Sequence, residues 1–566
     1  MLRSIGSVTF LALLMVGCGG GNSGSSPPPP PQPTYSIGGT VTGLSGSGLL
    51  LQTNSGDVVP VPKAGAFRFT NQLVGGAAYT VTVKTQPSTP AQNCVVTNGS
   101  GTVGTANVTT VAVACSTVAN YTVGGTVSGL VGSGLTLAVC HVQINGPGLH
   151  LPDCKNQKQV SVDGTYTLDA VYPWNYSGAD YVSIAQQPSS PTQNCTISNA
   201  AISTQAANDT GFTVSCAEFA FITNAVDNTL STYRIDATTG AMQAVGTPTP
   251  TGKSPNATVA VETFQSGVLA FMYPRQYVVF VGNEDSNDVS AFAVNSATGA
   301  LTKVPGSPFA AGGTDPIAMA AYWHGGNYNL YVANAGSHNL SAYSIDQGTG
   351  ALAPLSPGPS TIATRNNPTS VVVAPSASVV YVANHGGSND ISAFSTDLTE
   401  VSGSPFPAGG NPLSLAVGGG GKFLYSANPD ATNPSISGFS IDPTSGALSP
   451  LSGSPFKLPV SQYMATDQTG SYLYFTSGAS VVGYGIDPTT GALTKLAEFP
   501  VATEANAYSV SVDPTNRFLY VTNDGAANVS GFTLDASTGA LTPMAGPPFP
   551  AGHDPKFIAT LFPAQF

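Results

Sequence analysis

The sequence predicts an all-β protein: a seven-bladed β-propeller C-terminal to two small disulfide-stapled β-sandwich-like domains. Three observations carry this prediction. Strands ending in a small residue and Asn recur at spacings of 44 to 59 residues through the C-terminal part of the chain, the length of one four-stranded propeller blade. Ahead of them a shorter unit occurs twice, each copy closing on a cysteine. Short β-branched runs between Gly, Asn, Asp and Pro dominate throughout, and no stretch of useful length carries helical periodicity.

Length and composition fit that division. A chain of 566 residues is too long for one hydrophobic core. Only 8% of its residues are charged, against about 25% in an average soluble protein, so its surface must be polar and mostly neutral. With a net charge of −12, it lacks the basic patches that displace counterions from nucleic acid, and the reading excludes a nucleic-acid partner.

Residues 1–17 read as an export signal. Arg3 supplies a positive start, and Val8 to Val16 form an apolar stretch too short to span a bilayer. The run Leu14-Met15-Val16-Gly17-Cys18 resembles a bacterial lipobox, with Met15 where Leu is usual. The resemblance implies acylation of Cys18 and attachment to the membrane by that lipid. Gly19, rather than Asp, implies the outer membrane by similarity to Gram-negative lipoproteins. Residues 18–34 are the lipidated Cys and a Gly/Ser/Pro linker, which could reach roughly 50 Å as extended polyproline.

Residues 35–117 and 118–217 form the two repeat domains. Tyr35-Ser36-Ile37-Gly38-Gly39-Thr40-Val41 returns as Tyr121-Thr122-Val123-Gly124-Gly125-Thr126-Val127. Gln86-Pro87-Ser88 and Gln92-Asn93-Cys94 return as Gln187-Pro188-Ser189 and Gln193-Asn194-Cys195. Cys94 with Cys115 and Cys195 with Cys216 are equivalent pairs at equal spacing. The first landmark recurs after 86 residues and the cysteines after 101, so the second copy holds an insertion, in which Cys140 and Cys154 lie. Three disulfides in an oxidising compartment follow. The alternative for Cys140, His141, His150 and Cys154 is a metal site, though the spacing matches no usual zinc pattern. These units resemble the Gly-Gly-Thr-Val repeats of bacterial surface proteins, which implies a spacer or adhesive role.

Residues 218–566 form the propeller. The repeated strand is Phe221-Ile222-Thr223-Asn224 in the first copy and Tyr520-Val521-Thr522-Asn523 in the last; Tyr474-Phe475-Thr476-Ser477 departs at its final position. A second strand follows, with small residues beside an aromatic, as in Ser392-Ala393-Phe394. The small residues are expected to let blades approach, the aromatic to fill the gap. Next comes a turn such as Asp442-Pro443-Thr444-Ser445-Gly446, copied at Asp236, Asp346, Asp487 and Asp535 and, with Asn, at Asn295. Its Asp accepts from backbone N–H groups ahead of it, a turn role rather than a catalytic one. The blade at Asp397 is shortened. The chain ends on an orphan strand, Phe557 to Phe562, which can pair with Phe219–Thr223 and close the ring.

This pattern resembles the YVTN and lactonase-like seven-bladed propellers over residues 218–566. One face is the default site, because loops rich in polar residues gather there. These loops carry Glu284, Asp285, Asp288, Asn334, His338, Asn384, His385, Asp390, Asp524, Arg365, His553 and Asp554. His324 should lie on the other face. The first functional reading is a binding module for a glycan, a cation or an envelope protein. The alternative is a lactone hydrolase in which His338 or His385 is the base, Glu284 or Asp288 orients it, and Arg365 holds the developing negative charge. The related 6-phosphogluconolactonases carry an Arg-His pair at the start of an innermost strand. The corresponding stretches, Asn366-Asn367-Pro368-Thr369 and Gly552-His553-Asp554-Pro555, lack it. Neither reading calls for a cofactor or a metal. The Ser-Pro-Phe turns at Ser307, Ser404 and Ser454 lack the elbow and triad of a nucleophilic serine.

Overall fold

A computed structural model describes residues 32–561 apart from 118–120, 146–147, 150–152, 172–177, 190–192, 194, 199–201, 203–208, 264–275, 325, 357–359, 431, 460–461 and 547. Cys18, the export segment, His150 and Phe562 lie outside the described residues. The chain divides into two compact units, Met1–Ala119 and Asn120–Phe566.

The first unit is a sandwich of two four-stranded sheets. In one, Thr34–Thr42 lies between Gly65–Val74 and Val108–Thr117; in the other, Leu49–Thr53 lies between Val58–Val61 and Ala78–Thr85. Ile37, Val41, Leu51, Phe69, Val81 and Val113 fill the space between them. The paired glycines have a geometric cause. Thr34–Thr42 is flanked by one antiparallel and one parallel neighbour. A Cβ at Gly38 would sit 2.5 Å from the Phe67 carbonyl oxygen, and one at Gly39 would sit 1.8 Å from that of Val111. Gly124 and Gly125 repeat the geometry at 2.3 and 1.7 Å. Only residues without side chains admit both neighbours.

The repeated glutamines also have a task. Buried Gln92 accepts from the N–H groups of Ser45 and Gly46, each at 2.7 Å, and donates to Gly43. Gln193 does the same at Val131, Gly132 and Gly129. Each thereby satisfies backbone groups of a buried turn. Disulfides join Cys94 to Cys115, Cys140 to Cys154 and Cys195 to Cys216. Cys140 faces Cys154 across an antiparallel pair, so those thiols bind each other and not a metal.

The second unit holds the second repeat and the propeller. Gly164–Val171, Tyr121–Ser128, Asp209–Ser215 and Thr196–Ser198 reproduce the first sheet of the first repeat in the same order. After Asp209–Ser215 only Cys216 and Ala217 precede Glu218–Asn224, the first propeller strand.

Seven antiparallel sheets then make seven blades. Their innermost strands contact one another in sequence around a ring. The first blade takes its innermost strand, Pro555–Leu561, from the C-terminal end, in the register Phe219↔Leu561, Phe221↔Ala559 and Ile222↔Ile558. Most outer strands come in two short pieces; the fourth blade keeps Phe406–Pro407 and an isolated Phe394↔Glu400 bridge.

Repeated side chains stitch blade to blade. Tyr381 in the fourth blade donates its hydroxyl hydrogen to the carbonyl of Gly446, in the turn of the fifth. Tyr425, Tyr474 and Tyr520 do likewise to Gly491, Gly539 and Gly240 at 2.7 to 2.8 Å. The turn Asp behaves as expected: Asp442 accepts from Thr444 N, Ser445 N and the Ser445 hydroxyl. The small serines do more than admit a neighbour. Ser290, Ser341, Ser392 and Ser530 each accept from the buried Asn that ends the preceding strand. In the Ser-Pro-Phe turns, Ser307, Ser404 and Ser454 each accept a backbone N–H, from Ala291, Ala393 and Gly438.

Candidate functional site

The innermost strands start in one repeated way. Ser254, Asp315, Asn367, Asn506 and Asp554 each take a positive φ. Four of them precede a proline (Pro255, Pro316, Pro368 or Pro555), and Ala507 replaces it in the seventh blade. Pairing then slips near that point, leaving a bulge. Proline has no N–H for the ladder, and bulges re-aim side chains. Asn256, Ile317, Thr369, Tyr508 and Lys556 fall in these bulges.

A second ring of positions lies beside them. The residues after the strand-ending Asn include Ala225, Glu284, Ala335, His385 and Asp524. Each donates its backbone N–H to the carbonyl of the positive-φ residue in its own blade. Their side chains therefore stand at one end of the channel.

All seven innermost strands line a central cavity of about 190 Å³. Thr258, Thr369, Ser414, Tyr463, Ser509 and Phe557 are among its walls. Around its mouth, Tyr463, Tyr508 and Phe557 cluster, with ring centroids 4.7 to 5.8 Å apart. Lys556 lies 4.4 Å above the Tyr508 ring. Its ammonium is 2.7 Å from Asp554 and 3.3 Å from Asp524. Asn256 donates to Glu284 at 2.7 Å. Burial pushes the Tyr463 hydroxyl up to about 12, against a bond from Tyr508 that lowers it, and the charge of Glu284 adds to the rise. Tyr508 is raised further, first by burial and then by Tyr463. Asn256 Oδ1, Thr258 Oγ1 and His385 Nδ1 are buried without a hydrogen-bond partner. The Oδ1 atoms of Asn283, Asn334, Asn384 and Asn523 are in the same state; Thr258 differs in lining the cavity, where a ligand or water can satisfy its hydroxyl.

The residues expected from the sequence divide into three groups. Glu284, Asp524 and Asp554 join the cluster just described, and His385 stands on the same ring. Asn334, Asn384, Asp288 and Asp390 are engaged in turns. Asn384 donates to Asp390 at 2.7 Å and to Ser392 at 2.9 Å. Asn334 does so to Asn339 and Ser341, and Asn283 to Asp288. Burial raises the Asp390 carboxyl. His338 also serves a turn: its Nδ1 accepts from Asn367 N at 3.0 Å. Asn228 and Asn287 make the same clasp to Ser254 and Asp315, so this histidine stands in for an asparagine. The third group faces outward. Arg365 lies 3.8 Å from Glu400, both half exposed, and so turns to the blade's outside rather than the channel. Exposed His553 bonds Asp227 at 2.9 Å, and Asp285 is exposed. His324 ends the strand Pro316–His324 at the far end of the channel.

Asn256, Tyr463, Tyr508, Lys556 and Phe557 were not singled out in the sequence. The Pro that opens four of the innermost strands was the available signal for Asn256 and Lys556, since each directly follows one.

The family model for the lactonase, 7-bladed beta-propeller matches residues 217–358 and 429–546. Among solved structures, the propeller is similar to a Bacteroides fragilis protein assigned as a 6-phosphogluconolactonase, at 20% identity and a TM-score of 0.49, covering 61% of this chain and 98% of that one. It is also similar to the periplasmic gluconolactonase PpgL of Pseudomonas aeruginosa, at 16% identity and a TM-score of 0.47, covering 61% and 99%. No curated protein matches the chain.

Proposed function

We propose that the chain is an exported envelope lipoprotein whose propeller binds a small polar ligand at the mouth of its central channel. The observation that carries this reading is convergence. Asn256, Glu284, Tyr463, Tyr508 and Lys556 come from four blades and meet through mutual contacts beside a cavity that Tyr463 lines. Bulges aimed at a cavity, with unpartnered polar atoms beside it, are features of a binding site and are avoided in a purely structural core. A space of about 190 Å³ suits a small molecule better than a protein segment. Three disulfides support a compartment outside the cytoplasm. Anchoring through Cys18 rests on the lipobox resemblance.

The match to the lactonase family favours a second reading, lactone hydrolysis at the same mouth. Glu284 would then draw a proton from the attacking water, and the Tyr463 hydroxyl would donate to the developing oxyanion. This pair differs from the one first expected, His338 or His385 with Arg365: His338 is held in a turn, Arg365 lies beside Glu400, and His385 stands on the ring of Glu284. A panel of phosphorylated and unphosphorylated lactones, assayed for both turnover and binding, tests the two readings. Turnover that falls by about 100-fold or more in Glu284→Gln, with affinity kept, supports the hydrolase. Binding without turnover supports the binding module. Neither binding nor turnover, across lactones and simple glycans, sinks both.

A further inference from the structure

Resting on the reading of the channel mouth as a ligand site, we infer that the ligand is an uncharged, ring-sized carbohydrate, a monosaccharide or its unphosphorylated lactone, bound by Asn256 and Thr258. The cavity holds about 190 Å³. A cavity of this size holds several waters, whose place one sugar ring can take. Its walls alternate hydroxyls with apolar side chains such as Ile317, Met319 and Phe557, and none is charged. A sugar ring presents the complementary surface, with C–H faces and hydroxyl edges.

Most wall hydroxyls are already engaged. Thr369 donates to Pro412, Ser370 accepts from Leu415 N, and Ser414 accepts from Met464 N. Ser509 pairs with Thr522 at 2.9 Å. Thr258 Oγ1 and Asn256 Oδ1 are buried and have no partner. They belong to one strand with a single residue between them; Thr258 and the intervening Ala257 line the cavity, and Asn256 adjoins them in the bulge. Two hydroxyls of one six-membered ring can meet both. An unfilled buried acceptor is costly, so a ligand that fills both has a free-energy advantage over an empty channel.

Charge decides against a phosphate. The mouth holds Asp524 and Asp554, both paired with the Lys556 ammonium, and Glu284, whose charge reaches Tyr463 and Tyr508. A phosphate or aldonate would meet net negative charge and no unpaired cation of the cluster. Neutral hydroxyls instead can donate to Glu284 and to the free Asn256 oxygen.

Calorimetric titration of the full exported chain with matched pairs tests this: glucose, glucono-1,5-lactone and N-acetylglucosamine, each against its 6-phosphate. The expected result is binding of an unphosphorylated member, with the 6-phosphate at least ten-fold weaker. Thr258→Val and Asn256→Ala should each raise Kd at least ten-fold with the thermal transition unchanged. A 6-phosphate that binds as tightly overturns the inference while leaving the mouth as the site. So does binding that survives Thr258→Val and Asn256→Ala but is lost in Tyr463→Ala. Binding that survives all three substitutions puts the ligand outside the channel and sinks both the inference and the reading beneath it. Binding of no member also overturns the inference; the lactone assay then decides the fate of the mouth.

Discussion

Glu218 lies where the ring closes. Its carboxylate is fully buried, 3.2 Å from Arg517 of the seventh blade. Burial pushes its pKa from 4.5 up to about 8, against the opposing charge of Arg517; Asp513 and Asp236 raise it further. The sign of the consequence follows from which state holds the proton. Between about 4.5 and 8 the folded chain keeps a proton that the unfolded chain has released. The contribution of Glu218 to stability is therefore greatest at low pH and declines as pH rises through that window. Glu218→Gln removes the titration and keeps a partner for Arg517. The expected outcome is a Tm that falls less steeply between about pH 5 and 8 than in the unsubstituted chain. Equal slopes in a thermal-melt series would refute the assignment. The same scale shows why single residues were hard to read from sequence. His338 carries the chemistry of a base, yet its φ of 54° and its bond to Asn367 place it in a series with Asn228 and Asn287. Turn geometry uses its Nδ1.

At the scale of the element, the recurring Asn is a clamp. It ends the second strand of a blade, is wholly buried, and reaches the first and third residues of the next strand. That pair of bonds sets where the next strand begins. Asn384→Ala removes both and leaves Asp390 and Ser392 unpaired. Each buried group so stranded costs about 1–3 kcal/mol. Urea denaturation should show a loss of this size for Asn384→Ala, and a change under 0.5 kcal/mol, the usual surface range, would show that the clamp is not needed. This element was legible in the sequence as a repeat. Its role was not, because Asn is equally a turn residue, a ligand residue and a buried hydrogen-bonding residue. Only its lack of exposure separates these. The paired glycines of the N-terminal repeats are a similar case: their recurrence was visible, while the cause, two backbones within bonding distance on either side, needed the neighbours.

For the whole molecule, closure depends on one strand. Pro555–Leu561 supplies the innermost strand of a blade whose other strands lie more than 300 residues earlier. The same strand contributes Phe557 to the cavity wall and Lys556 to the mouth. Deleting residues 555–566 should therefore expose the edge of Glu218–Asn224, abolish the cooperative melting of the propeller and promote association through the open edge. The three disulfides, read by mass, should persist, since all lie before Glu218. A truncated chain that melts as the full chain does would mean that six blades and a fragment suffice.

The sequence by itself determined what repeats can express: seven blades, a ring closed by the C-terminal strand, two copies of a stapled unit, and which cysteines pair. These are local or periodic properties, and each copy reports on the others. The tertiary structure alone decided the site. Asn256, Glu284, Tyr463, Tyr508 and Lys556 are spread over 300 residues and share no motif. They meet because each blade sends its innermost strand to a common axis, and in five of them a bulge turns a side chain that simple strand alternation would assign elsewhere. It also decided how polar residues are engaged, since His338 is held by a backbone N–H of a neighbouring loop and the amide nitrogens of Asn334 and Asn384 are committed to the next strand of their own blades, contacts invisible in the sequence.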